Sequence, residues 1–146
     1  MQRCSFHDYD VRSGVTQKRK IALLVKKILE KKKADYNINY ILCSDEYLLN
    51  MNKEYLQHNT LTDIITFDLS EENSELLIAD IYISIQRVEE NATAFNKKFT
   101  EEFIRVVVHG ILHLLGYQDK SAQQKTTMRR METRWINYYK KNILTL

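Results

Sequence analysis

The chain has 146 residues, the usual size of one domain, and at 44% hydrophobic it can bury a real core. It holds no proline and only three glycines, which argues against a linker or disordered tail, and no run approaches the roughly 20 apolar residues that span a bilayer. The net charge of +3 permits nucleic-acid contact without demanding it. The first residues lack a basic start followed by an apolar run, and Cys4 and Cys43 stand far apart, so a reducing cytoplasm is expected.

In chain order, Arg3–Val11 alternates loosely and reads as a first strand. From Thr16 to about Lys32, Ile21, Leu23, Leu24, Val25, Ile28 and Leu29 recur at helical spacing. Basic clusters at 18–20 and 31–33 flank that pattern and read as a solvated face, with phosphate contact as the alternative. Asn37–Cys43 is rich in β-branched and aromatic residues, as strands are. Ser44 can cap a helix carrying Leu48, Leu49, Met51 and Tyr55. Thr62–Leu69 and Glu75–Ile85 read as two strands joined by an acidic turn, and Ser84 as the cap of a helix through about Phe95. A helix is expected from Thr100, its cap, to Gly116, which can take the left-handed conformation that ends helices. Nearly every side of it is apolar, so it should be buried. Ser121 and Gln124 form a capping-box pair that opens a last helix to about Lys141. There is no internal repeat and no boundary. The order of elements predicts one α/β or α+β domain over residues 1–146.

The chemistry concentrates in "VVHGILHLLGYQDK". Residues four apart on a helix share a face, so His109 and His113 project side by side and can reach one ion. Gly116 stops the helix a turn later, and Asp119 can return as a third ligand. Three protein ligands are what a catalytic metal site uses. Two histidines at this spacing also suit a structural pair, but burying two imidazoles in an apolar helix is costly unless they find partners. The zinc-protease motif places its glutamate base directly after the first histidine. Gly110 stands there, so that mechanism loses its base.

"HGILHLLGYQD", followed by "MRRME", resembles the signature of the bacterial YbeY family of metal-dependent endoribonucleases. "NKEYLQHNTLTDIITF" and "ADIYISIQRVEENA" resemble its other segments, in the family's order from about Asn52 to Glu132. The resemblance implies a small mixed sheet packed with helices around a central metal-bearing helix. It implies one transition-metal ion, usually zinc, and no organic cofactor. It also implies single-strand-specific cleavage in ribosomal RNA processing and quality control, above all at the 3′ end of the small-subunit RNA. Its partners would be ribosomal RNA and the small subunit or its assembly factors. His109 and His113 match the first two ligands, and Asp119 falls where the family has a third histidine. Gln118 replaces an aspartate, and Leu56 an arginine.

A carboxylate at 119 lowers the ion's effective charge and opens the site to Mn²⁺ or Fe²⁺ beside Zn²⁺. Arg105, one turn before His109, is the first choice to replace the missing arginine, with His58 and Lys53 behind it; a bond to Glu101 or Glu102 is its structural alternative. Asp80 is the catalytic candidate, for orienting a ligand or water or as the general base, and Asp80 or Glu132 could instead be ligands. Tyr117, Trp135, Tyr138 and Tyr139 read as packing residues. The competing class is a non-catalytic, RNA-binding assembly factor with a structural metal.

Overall fold

Strand β4 (Leu76–Ser84) organises the molecule because its side chains alternate between two faces. Leu77, Ala79, Ile81 and Ile83 are buried on one face, while Leu76, Ile78, Asp80 and Tyr82 are half-exposed on the other. The computed structural model describes residues 1–56 and 62–146. Four strands form one sheet in the order β1–β2–β4–β3, with β1 (Gln2–Asp8) parallel to β2 (Asp35–Cys43), β2 parallel to β4, and β3 (Ile64–Asp68) antiparallel to β4. The sheet is therefore mixed, as expected. The parallel pair needs a crossover, which helix α1 (Lys18–Leu29) supplies.

Helix α2 (Asp45–Leu56) begins behind Ser44, whose hydroxyl accepts from the Tyr47 amide at 3.1 Å. Helix α3 (Ile85–Ala94) begins behind Ser84, which accepts from the Arg87 amide at 3.1 Å. Helix α4 (Phe99–Leu114) lies against the sheet, with α1, α3 and α5 (Ala122–Tyr138) packed around it. The chain ends in a π-helical turn, Tyr139–Ile143. Tyr139 is buried, and Trp135 and Tyr138 pack against the core, which is the role expected of them.

Two local findings bear on the site. Helix α4 starts one residue before Thr100, with Lys98 as its cap and no side-chain bond to a free amide. Thr100 thus lies inside the first turn, and Glu101 and Glu102 remain the acidic groups at its positive end. Gly110 faces the sheet. A Cβ there would meet the Ile64 Cδ1 at 3.0 Å and the Ile81 Cδ1 at 3.3 Å. The missing side chain lets α4 approach β3 and β4 closely, and a glutamate at 110 would have to enter the core.

Candidate metal centre

Helix α4 buries Val106, Val107, Val108, Ile111 and Leu112 and turns His109 and His113 toward a cavity. The helix ends as Gly116 enters the left-handed half of backbone space, with φ of +101°. The Gly116 amide donates to the His113 carbonyl at 2.9 Å, and the Tyr117 amide to the Leu112 carbonyl at 3.0 Å. This paired closure is a Schellman motif, and it reverses the chain. The Ser121–Gln124 capping box then opens α5. Held between these two ends, Asp119 comes back over the histidines.

The three donors form a nearly equilateral triangle. His109 Nε2 and His113 Nε2 lie 3.0 Å apart, and Asp119 Oδ2 lies 3.3 Å from the first and 3.5 Å from the second. A tetrahedral ion with bonds of 2.0–2.1 Å holds its donors about 3.3 Å apart. The donor set fits a transition metal in kind and in spacing. Among the described residues this is the group of three whose ligand atoms all lie within 4.8 Å of one another.

Glu132 completes the surroundings from α5. Its Oε2 lies 2.7 Å from His109 Nδ1, and its side chain is 7% exposed. That contact places the proton on Nδ1 and leaves the Nε2 lone pair facing the triangle. Burial disfavours the His109 imidazolium, but the Glu132 hydrogen bond and charge, aided by Asp119 and Asp63, outweigh it and raise the pKa above the ordinary value. The same Glu132 carboxylate accepts from Arg105 Nη1 at 3.0 Å, while Arg105 Nη2 donates to Thr133 Oγ1 at 3.3 Å. Arg105 therefore pairs across to α5. Neither helical alternative forms: Glu101 pairs with Lys97 and Lys140, and Glu102 is buried.

A cavity of about 950 Å³ opens beside the triangle. Arg105, His109, His113 and Asp119 line it, as do Leu56 and Asp63. Burial raises the Asp63 carboxyl above its usual range, with the Glu132 charge adding and His109 and Arg87 opposing.

Asp80 is not brought to the cluster. It sits on the far face of β4, where Asn39 Nδ2 donates to it at 3.3 Å, while its neighbour Ile81 faces α4. Glu132, not Asp80, contacts a histidine of the cluster, and Asp63 is among the acids that line the cavity. Asp63 carried a signal, the threonine–aspartate step before an apolar strand. Lys53 is exposed on α2 and does not line the cavity, and His58 lies outside the described residues. Tyr117 is more open than a packing residue would be, at 36% exposed.

The family model described as Endoribonuclease YbeY matches residues 7–140. An Endoribonuclease YbeY of Flavobacterium psychrophilum is 50% identical over 105 residues, covering 72% of this chain and 74% of its own. One from Cytophaga hutchinsonii is 43% identical over 128 residues, covering 87% and 89%. A solution structure of a Thermotoga maritima protein superposes with a TM-score of 0.67 at 28% identity, covering 94% of this chain and 89% of its own.

Proposed function

The chain belongs to the YbeY endoribonuclease family, and from that premise we propose that it is a metal-dependent, single-strand-specific endoribonuclease acting on ribosomal RNA, above all in maturing the small-subunit 3′ end. Its partners in this reading are ribosomal RNA and the small subunit or its assembly factors, and its place is the cytoplasm. Among the described residues no helix is long and apolar enough to cross a membrane. The observation that carries the reading is the convergence of His109, His113 and Asp119 on one point beside a cavity large enough for a nucleotide.

His109 and His113 would hold the ion through Nε2 and Asp119 through a carboxylate oxygen. When bound, such an ion polarises a phosphoryl oxygen and lowers the pKa of water. Zn²⁺ suits the two imidazoles, and the carboxylate admits Mn²⁺ or Fe²⁺ as well. Glu132 fixes the His109 ring and its tautomer. Arg105 lines the same cavity and offsets charge on the phosphate oxygens. Asp63, half-buried and with its pKa raised chiefly by burial, lines the same cavity and is the carboxylate assigned to accept a proton. A non-catalytic assembly factor is not favoured, because the relatives are named as endoribonucleases.

The test pairs elemental analysis of untagged protein with cleavage of a single-stranded small-subunit RNA precursor. Native protein should carry close to one equivalent of transition metal and cut the RNA. His113→Ala should lose both while keeping its circular dichroism spectrum. Native, metal-loaded protein that leaves the RNA intact would sink the enzymatic reading.

A further inference from the structure

Among the described residues, three lysine or arginine side chains line the cavity: Arg105, Lys125 and Arg129. They differ in what they already touch. Arg105 is held by Glu132 and Thr133. Lys125 and Arg129 are exposed on α5, and among the described residues neither side chain has an ion pair or hydrogen bond. Four residues separate them, so they share a face of α5 and stand about 6 Å apart along its axis. That separation is on the scale of one nucleotide step in an extended strand. The buried carboxylates that line the same cavity, Glu102 and Glu132, would repel a polyanion unless its rim carried compensating charge.

We propose that Lys125 and Arg129 seat successive phosphates of the RNA strand running from the metal centre along α5. This rests on the reading of the site as a ribonuclease. The two residues act on binding, one charge per phosphate, and leave the chemistry at the triangle unchanged. Because they contact backbone and not base edges, they confer affinity without sequence preference. Position separates them from the other lysines. Lys26 and Lys31 are equally exposed, but neither lines the cavity.

The experiment measures affinity of the metal-loaded protein for a short labelled oligouridine by fluorescence anisotropy, across a range of salt, with cleavage kinetics in parallel. The variants are Lys125→Gln/Arg129→Gln and the charge-matched control Lys26→Gln/Lys31→Gln. Each lost contact to a single strand lowers the slope of log affinity against log salt by about 0.7, so the cavity variant should lose about 1.4. Its affinity at moderate salt should fall on the order of ten-fold. KM should rise with it, while kcat and metal content stay at native values, and the control should keep the native slope. A native slope in the cavity variant overturns the proposal and leaves the ribonuclease reading standing, as does an equal loss in the control. A native protein that neither binds nor cuts RNA overturns both.

Discussion

Glu132 serves two partners at once, one oxygen toward His109 of the candidate metal cluster and the other toward Arg105. A carboxylate behind a ligand histidine raises its basicity and fixes its orientation, and such groups are worth roughly 10- to 100-fold in metal affinity. Glu132→Gln keeps the shape and removes the charge. It should lose metal affinity by about that factor in competition with a chromogenic chelator, with little change in secondary structure. Glu102 is a different kind of buried acid. Burial raises its pKa, the Asp63 and Glu132 charges add, and Arg105 and Arg129 oppose. The folded chain therefore holds this proton more tightly than the unfolded chain does. Stability falls as pH rises from the ordinary glutamate value through the folded one. Glu102→Gln should then be more stable than native protein at neutral pH, and the gap should close in acid, as denaturant titration at both pH values would show. At this scale the convergence of His109, His113 and Asp119 was legible because the three lie within eleven residues of one another along the chain. Asp80 was not legible as a residue of the far face because Leu76 and Ile78 share that face with it, so large apolar residues stand on both sides of β4 and the pattern does not say which side meets α4.

The helices and strands were legible nearly to their ends, and the reason differs from one to the next. Ser84, Ser121 and Gly116 act where their chemistry predicts, because each satisfies a free backbone group at a helix end. Thr100 does not, because α4 begins a residue earlier and leaves it inside the first turn. Gly110 shows what a spacing cannot reveal. From sequence it is only an absent glutamate, whereas in the fold it is the contact of α4 with Ile64 and Ile81. Gly110→Glu should destabilise by more than about 3 kcal/mol, since a carboxylate and its bulk must enter an apolar layer. Gly110→Ala should stay within about 1 kcal/mol of native, because the helix-propensity gain offsets a small movement of the Ile64 side chain. Thermal unfolding of the two variants separates these outcomes.

At the scale of the fold, the main core extends from the β1–α1 side to α5 and the terminal turn, a smaller cluster of Cys43, Leu48, Met51 and Ile65 packs α2 onto the sheet, and the triangle sits at the edge of the main core where α4, the loop and α5 meet. An ion that binds only the folded form stabilises it by about 2.7 kcal/mol when its concentration is a hundred times the dissociation constant. For a domain of this size, stripping it with a chelator should lower Tm by about 5–10 °C. The same treatment should leave His113→Ala unmoved. An equal drop in that variant would place the chelator's effect elsewhere.

The loop that returns Asp119 to the histidines also carries Lys120, exposed and next in sequence to it. An ion joining Asp119 to two histidines of α4 would staple that loop to the helix, and a stapled loop cannot open to enter a protease cleft. Trypsin should therefore cut after Lys120 slowly while the staple holds and quickly once it is gone. Because the cut falls between residues 120 and 121, it separates α5 from the rest of the chain. A gel band near the size of residues 1–120 would then report the emptied fraction directly, without any assay of metal or RNA.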